Sequence, residues 1–398
     1  MPRPGIGFNI GQGGLGRPRA GEDHFSAMLF FNNTLPSGFG ATDRIKKFFS
    51  LKQAEDAGIA EGSVAHGVLH YHISEFFRLE PKGVLWVGIY AVPVGAYDFA
   101  EVELMVNFAE GKIRQFGTFI DSVAYSTTNV ELFGNALEAL EAKKPAVGVF
   151  AGDISAVTDL TTLTDLKTLT SPRVHVTIGQ DGGATGAALA VSTSKSVTQL
   201  GATLGSLAKL KVSQNIGWVG ANNISNGIEN DVAAFANGDL FRSLSDAILD
   251  AISDLAYGFC VKDIDSPGTF FNDSLTAIAE TSDFSTLENN RTMDKARREI
   301  RASVIPALKS PVRVNGDGQL SESFINYIDN LVSRPLDLMQ ANDEIGGSED
   351  GSSKGYAVTI DPTQDVLATS EVVIQVDIIP LGSARFITFN IGFTAQIN

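Results

Sequence analysis

The sequence predicts an α/β protein whose core is a mostly parallel β-sheet with helices on its faces. Between residues 84 and 210, short apolar segments alternate with longer amphipathic ones, as strands and helices do in βαβ units. The apolar segments are nearly continuous runs of Val, Ile, Leu and Phe, which indicates strands buried on both faces. Hydrophobic residues make up 43% of the 398 residues, enough for a sizeable core.

Composition and charge exclude several classes of protein. The net charge of −16 argues against a general nucleic-acid binder, because such proteins neutralise phosphates with Lys and Arg. Cys260 is the single cysteine, which excludes an internal disulfide and a Cys-based zinc cluster. The longest near-apolar run, residues 84–97, is too short to span a bilayer. We therefore expect a soluble protein made in the cytoplasm, without direct membrane contact.

The chain begins with a segment that we predict to be an arm. Ile6, Phe8 and Ile10 alternate with small or polar residues, which is the period of a β-strand. A Gly-rich stretch with two arginines follows at residues 11–19, as in a flexible linker. Arm and linker together cover residues 1–25.

An α/β domain is predicted at residues 26–235. Its strands are apolar runs at residues 26–32, 84–92, 113–120, 146–151 and 173–178. Its helices have apolar residues at helical spacing and are predicted at residues 51–58, 98–110, 129–142, 161–169 and 194–210. Residues 70–79 fit a helix or a strand. Residues 179–193 are rich in Gly, Ala and Ser without an apolar period, which predicts a mobile loop.

A second, α+β domain is predicted at residues 236–380, followed by a terminal arm at residues 381–398. Its helices are predicted at residues 244–255, 286–308 and 321–338. Strands are predicted near residues 257–262 and at residues 356–360, 371–380 and 384–393.

Three of the five histidines, His66, His70 and His72, lie within seven residues of each other. On a helix the first two would share a face, and on a strand the last two would. Either pair could bind a metal, but no nearby Cys or acidic trio completes a site. We therefore predict structural histidines and no metal site.

No motif indicates catalysis or a cofactor. Gly11-x-Gly13-x-x-Gly16 matches the dinucleotide fingerprint as a string, but no helical pattern or βαβ unit surrounds it. Residues 315–322 resemble a calcium loop whose first ligand would fall on Arg313, so a tight turn before a helix is the better interpretation. No nucleophile–base pair stands out. We predict no catalytic residue and no cofactor, and hence a protein that is not an enzyme.

A basic segment at residues 291–301 stands out in this acidic chain, with five basic and two acidic residues. Arg291, Lys295 and Arg298 are spaced i, i+4 and i+7, so on a helix they form one stripe. A solvent-exposed basic face is the simplest interpretation. The alternative is a docking surface for an acidic partner.

Strand-like segments lie at both ends of the chain. A terminal strand can pair within its own chain or add to the sheet edge of a neighbour. If each subunit gives a strand to the next, the contact is heterologous and generates rings or helical filaments. The candidate arm residues are Ile6, Phe8, Ile10, Phe386, Thr388, Phe389, Ile391 and Phe393.

The order of several short motifs resembles contractile tail sheath proteins of bacteriophages and related injection machines. The motifs are Gly268-Thr-Phe-Phe-Asn-Asp273, Ser282-Asp-Phe-Ser-Thr-Leu-Glu-Asn-Asn-Arg291, Val314-Asn-Gly-Asp-Gly-Gln-Leu320 and the closing residues 374–380 and 386–394. Leu200-Gly-Ala-Thr-Leu-Gly205 and Asn215-Ile-Gly-Trp-Val219 resemble a branch of sheath-like proteins without a described function. The similarity extends over most of residues 25–398, and it lies in the order of the motifs.

The resemblance implies a structural subunit that stacks as hexameric rings around a tail tube and contracts to drive the tube through a target envelope. The implied partners are further copies of the chain, a tail tube protein, and baseplate and tail terminator proteins. The implied location is a virion tail assembled in the host cytoplasm. Because the helix after Asn289 and Asn290 is similar to the tube-facing sheath helix, Arg291, Lys295 and Arg298 are the predicted tube contacts. The outer part of sheaths varies greatly, so residues 84–210 carry little transferable detail.

Other functions stay open at this point. The chain could be the sheath of a bacterial contractile injection system in the bacterial cytoplasm, which the sequence does not distinguish from a phage sheath. It could also be an α/β enzyme with a ligand at the carboxyl ends of its strands, or a tail adaptor that forms closed rings. An enzyme predicts a convergent polar pocket, and an adaptor predicts rings without tubes.

Overall fold

A computed structural model of the chain describes residues 21–348, 350 and 352–389. The chain forms two compact units, Met1–Arg298 and Glu299–Asn398. The domain boundaries predicted after residues 25, 235 and 380 stay predictions.

The described strands of the first unit are mostly short, and the longest belong to its central sheet. In chain order they are β1 Phe25–Phe31, β2 Ile45–Phe48, β3 Val84–Tyr90, β4 Gln115–Ala124, β5 Val147–Asp153, β6 Thr170–Ser171, β7 Val174–Val176, β8 Gly179–Asp181, β9 Ala233–Phe235, β10 Cys260–Val261, β11 Phe270–Phe271 and β12 Ala277–Ile278. The α-helices that begin in this unit are α1 Leu51–Asp56, α2 Gly67–Leu79, α3 Glu101–Phe108, α4 Thr127–Glu138, α5 Thr185–Thr193, α6 Leu200–Lys209, α7 Asp246–Asp254 and α8 Leu287–Val304.

Six strands form the central sheet in the order β2-β3-β1-β4-β5-β7. β3, β1, β4, β5 and β7 are parallel, while β2 runs antiparallel to β3 at one edge. The parallel strands are apolar along most of their length because both faces of the sheet are covered. This confirms the predicted α/β class with a mostly parallel sheet flanked by helices.

Two apolar clusters form the core, one on each face of the sheet. On one face Leu29 and Phe31 of β1 share a cluster with Met105 of α3 and with residues of α4. On the other face Met28 and Phe30 share a cluster with residues of α2 and α6. The alternation along β1 is the two-residue period of a strand with both faces buried.

Helices α2 and α6 approach each other closely because glycines lie at their contact. A Cβ atom on Gly201 would lie 2.2 Å from the carbonyl oxygen of His72, and one on Gly205 would lie 3.0 Å from that of Phe76. The four-residue spacing places both glycines on one face of α6. Close packing of two helices therefore gives a physical reason for the glycine pattern at residues 200–205.

The segment at residues 161–169, predicted to be a helix, contains two short 3-10 turns, Leu160–Thr162 and Leu166–Thr168. Each turn begins at an aspartate whose side chain accepts a hydrogen bond from the backbone N–H two residues later. Such local side-chain bonds compete with a continuous helix. Asp159, just before the segment, and Asp165 within it therefore each start a separate turn.

The segment at residues 179–193, predicted to be a mobile loop, contains β8 and α5. β8 forms because it pairs antiparallel with β9, more than 50 residues later in the chain. Helix α5 contains three alanines, the residue with the highest helix propensity, and its lack of an apolar period hid it from pattern analysis.

Among its described residues, the second unit contains the end of α8, from Glu299 onward, and a 3-10 turn, Ile305–Ala307. They are followed by α9 Glu322–Ala341, β13 Tyr356–Ile360, α10 Val366–Thr369 and β14 Ile374–Ile378. Ser321 caps α9, as predicted, by accepting a hydrogen bond from the backbone N–H of Phe324. β13 and β14 form an antiparallel two-stranded sheet.

The strand predicted at residues 384–393 is absent from its described part, residues 384–389. A strand requires a partner for its backbone hydrogen bonds, and the described chain supplies none here.

Within the described ranges, no helix combines the length and the hydropathy of a membrane span.

Candidate assembly surfaces

The amino end of α8 is held by polar side chains from separate segments of the first unit. Asn215 Nδ2 donates to Asp273 Oδ1 at 2.6 Å, and Ser274 Oγ donates to Glu288 Oε2. Glu288 is buried although it is an acidic residue at the start of a helix. Three of these four residues lie in motifs that carry the sheath resemblance, so these motifs fix where α8 begins.

Asn290 continues this anchoring one turn further along α8. Its Nδ2 donates to the carbonyl oxygens of Pro172 and Phe284 at 2.9 and 2.8 Å. The side chain is buried, so its amide is held by these two carbonyl groups and not by water. A positioning role for Asn290 follows.

Arg291 is buried and serves the end of another helix. Its Nη2 donates to the carbonyl oxygen of Leu207 at 2.6 Å and to that of Leu210 at 3.3 Å, and its Nη1 donates to that of Lys211 at 3.3 Å. These carbonyls lie at the carboxyl end of α6, where intrahelical donors are missing. A cation at this end also compensates the helix dipole. Arg291 therefore joins α8 to α6.

Lys295 and Arg298 share one carboxylate, that of Asp23. Lys295 Nζ lies 2.6 Å from Asp23 Oδ2, and Arg298 Nη2 donates to Asp23 Oδ1. Burial on its own would raise the pKa of Asp23, but the charges of Lys295 and Arg298 hold that pKa below its ordinary value. Asp23 comes just before β1, so this contact ties the start of the described chain to α8.

Further ion pairs lie beside this contact. Arg173 Nη1 and Nη2 donate to the two carboxylate oxygens of Asp294 at 2.8 and 3.0 Å, and both side chains are buried. Arg114 pairs with Glu22, the residue before Asp23. Two parallel hydrogen bonds between an arginine and a carboxylate fix the orientation of the two side chains, and so of Arg173 relative to α8. The first part of α8 is thus locked across the amino ends of the parallel strands.

The predicted basic stripe is therefore engaged within the first unit. Arg291 is 5% exposed, and the side chains of Lys295 and Arg298 are 13% and 19% exposed. The cavity beside Asp23, Arg291 and Arg298 measures about 10 Å³, which is room for one water and not for a substrate. Tube contact by these residues stays a prediction.

Sequence analysis missed Asp23 as the partner of the stripe. One signal was available in the sequence, because the charged residues Asp23, Arg114 and Arg173 each lie close to the start of a predicted strand. In parallel strands such positions meet at one edge of the sheet. The sequence does not indicate that α8 crosses this edge, because that contact forms only in the tertiary structure.

The three clustered histidines have separate surroundings. His66 Nε2 lies 2.8 Å from the carbonyl oxygen of Thr34, and His70 Nε2 lies 3.2 Å from Glu55 Oε1. His72 points into the core between the rings of Phe30 and Phe119. In the part of the chain that the structure describes, no group of three or more His, Cys, Asp or Glu side chains is arranged to hold a metal ion.

Only part of the predicted arms is described. Ile6, Phe8, Ile10, Ile391 and Phe393 lie outside the described residues, as does the glycine motif at residues 11–16. The described arm residues Phe386, Thr388 and Phe389 are exposed, Phe386 by 93% and Phe389 by 78%. Large aromatic side chains at this exposure are apolar surface that a neighbouring chain can bury.

The two-stranded sheet of the second unit offers open edges. Each of β13 and β14 pairs with the other and with no further strand among the described residues. Tyr356 fixes β13 to α9, because its Oη donates to Asp337 Oδ1 at 2.6 Å and accepts from Lys354 Nζ at 2.7 Å. The hydrogen bond from Tyr356 lowers the pKa of Asp337. An isolated two-stranded sheet gains stability from further strands.

Comparison with known proteins identifies the fold. The sequence model of the C-terminal domain of DUF2586 matches residues 283–398. A search of curated protein sequences gave no match. A chain of the anti-feeding prophage baseplate, determined by cryo-EM with sixfold symmetry, is 14% identical over 100% of both chains, with a TM-score of 0.63. A sheath tail protein from Listeria innocua is 10% identical over 92% of this chain and 96% of its own, with a TM-score of 0.54.

The matches in structure extend over nearly the whole of each protein, and they agree with the resemblance carried by the sequence motifs. The chain has the fold of contractile tail sheath proteins.

Proposed function

We propose that this chain is the structural subunit of a contractile sheath, which polymerises as stacked hexameric rings around a tail tube and contracts to drive the tube through a target envelope. The observation that carries the proposal is the match in fold, over the full length of both chains, with a protein of the anti-feeding prophage baseplate. The match with a sheath tail protein supports the same role.

The terminal segments supply the means of polymerisation. The described C-terminal residues have exposed aromatic side chains, and the sheet of β13 and β14 has open edges. A strand from one copy that adds to the sheet edge of another forms backbone hydrogen bonds and buries alternate side chains. Because donor and acceptor surfaces differ, the contact is heterologous and propagates.

The N-terminal arm fits an acidic neighbour. Residues 1–20 contain three arginines and no acidic residue, whereas the whole chain has a net charge of −16. A basic arm is therefore attracted to the surface of a second copy. In this proposal, the Gly-rich linker predicted at residues 11–19 would let subunits rotate during contraction while strand pairing persists.

Contraction, in this proposal, releases free energy that is stored in the lattice. A metastable extended packing relaxes to a more stable one when a trigger acts at one end. The partners would be further copies of the chain, a tail tube protein, and baseplate and terminator proteins. The location would be a virion tail, or the bacterial cytoplasm if the sheath belongs to an injection system.

Tube contact would involve α8. Arg291, Lys295 and Arg298 remain the proposed residues, but reversing their charges would also break the contacts with Asp23 and α6. Arg297 lies on the same helix, is 44% exposed, and forms an exposed ion pair with Glu141 at 2.7 Å, which contributes little to stability. Replacing Arg297 by Gln therefore separates loss of tube binding, which should depend on salt, from loss of stability.

A double substitution in the C-terminal arm tests polymerisation. Phe386→Ser with Phe389→Ser removes exposed aromatic surface, so the monomer should keep its thermal stability while pelletable assemblies are lost. Val94→Ser is the matched control, because Val94 is a fully exposed apolar residue in a loop of the first unit. Equal pelleting of the arm variant and the wild type would contradict the proposed role of the arm.

A further inference from the structure

Helix α5 differs from the other longer helices in carrying no charged residue. Residues 182–194 consist of Gly, Ala, Thr, Leu, Val and Ser alone. Among the described helices of eight residues or more, every other one contains at least one Asp, Glu, Lys or Arg. In a chain with 46 acidic residues, such a surface element is unusual.

Helix α5 is also poorly covered for its composition. A helix made of apolar and small uncharged residues is ordinarily buried to a large extent, yet Gly186 is the only buried residue of α5. Its inner side rests on α2, where a Cβ atom on Gly186 would lie 2.9 Å from Tyr71 Oη. On its outer side Ala188 and Ser192 are exposed, and Val191 is 82% exposed.

The amino end of α5 is electrically neutralised within the chain. Asp181 is fully buried, and its carboxylate accepts hydrogen bonds from the backbone N–H groups of Gly183, Ala184 and Gly186 at 3.3, 2.9 and 3.1 Å. These N–H groups and the helix dipole would otherwise attract an anion. Because Asp181 already occupies them, α5 presents neither a net charge nor a free dipole end to a partner.

We propose that the outer face of α5, formed by Ala188, Val191 and Ser192, is a contact surface for a second copy of this chain. The inference deepens the proposed sheath function, on which it rests. Two copies with a net charge of −16 each repel one another overall, so acidic faces that meet oppose association. A neutral apolar face is where such copies can approach, and interface cores are depleted of charged residues.

The charge of the chain also favours a copy over a different partner. An unlike partner would be selected by basic groups that match the acidic surface, and α5 offers such a partner no charge to recognise. A copy has the opposite requirement, because its own acidic surface must be kept at a distance. Strand exchange by the predicted arms would link neighbouring copies, and a rigid contact at α5 would fix their relative orientation.

The test is the variant Val191→Asp, with Val94→Asp as the matched control. Both valines are exposed, so each variant should keep the wild-type melting temperature. The association of each purified full-length protein is followed by sedimentation velocity over a concentration series, without a tube protein. We expect Val191→Asp to need an at least tenfold higher concentration for half-association than the wild type and Val94→Asp.

Association of Val191→Asp at wild-type concentrations would overturn the inference, and so would a wild type that stays monomeric at every concentration. If Val191→Asp lowers the melting temperature, the comparison is repeated with Ala188→Glu, which changes a second exposed residue of the same face. Small oligomers that depend on α5 without any tubes would support this contact and sink the sheath proposal. Tubes that Val191→Asp forms at wild-type concentrations would support the sheath proposal and overturn the contact at α5.

Discussion

His72 is an ionisable side chain in the apolar core of the first unit. It is fully buried beside Phe30 and Phe119, and within the described chain neither ring nitrogen has a hydrogen-bond partner. Burial lowers the pKa of His72 from 6.5 to about 3. The ring is therefore neutral in the folded protein at pH values where the unfolded chain binds a proton.

We predict that this histidine makes the fold sensitive to acid. Because the unfolded chain takes up the proton below pH 6.5 and the folded chain does so near pH 3, stability falls as the pH drops through this window. Protonation of His72 in the unfolded chain should lower the free energy of unfolding by about 2 kcal/mol between pH 7 and pH 5. Urea unfolding at both pH values measures it. The variant His72→Leu should lose this part of the pH dependence, and an unchanged difference would contradict the assignment.

Asp23 is the second residue whose role can be measured. The variant Asp23→Asn leaves Lys295 and Arg298 without their shared carboxylate. Its free energy of unfolding should fall by about 1–3 kcal/mol at pH 7. The exposed pair Lys52–Asp56 provides the control, because Asp56→Asn should change stability by less than about 1 kcal/mol. Equal effects of the two substitutions in urea denaturation would remove the anchoring role of Asp23.

At the scale of elements, the packing of α2 against α6 depends on glycine. In Gly201→Ala the new methyl group would meet the backbone of His72, so we expect a loss of about 1–3 kcal/mol and a lower melting temperature. Gly62→Ala is the control, because its Cβ would meet nothing within 4 Å. A melting temperature of Gly201→Ala equal to that of the control would mean that the two helices can separate at no cost.

The sequence predicted the five parallel strands of the central sheet, because strands buried on both faces are continuous apolar runs. It missed the antiparallel edge strand β2, which is only four residues long and contains two lysines. It failed where structure depends on distant partners. β8 is held by β9, and α5 is too uniform in composition to show a period. The basic stripe illustrates the same limit at the site, since its spacing is visible in the sequence while its internal partners Asp23 and α6 are not.

At the scale of the whole molecule, the fold agrees with a subunit built for assembly. The first unit has a central sheet with covered faces, and ion pairs hold the first part of α8 against it. The second unit has a small sheet with open edges and a tail with exposed aromatic residues. Apolar surface and unpaired strand edges of this kind promote aggregation of a monomer, whereas in a polymer they form the contacts between subunits.

The proposed sheath function is tested most directly by negative-stain electron microscopy of the purified full-length protein, alone and with a candidate tube protein. We predict hollow striated tubes or stacked rings, with sixfold symmetry in end views. Discrete small particles under all conditions, even at high concentration and with the tube protein present, would contradict a role as a sheath subunit.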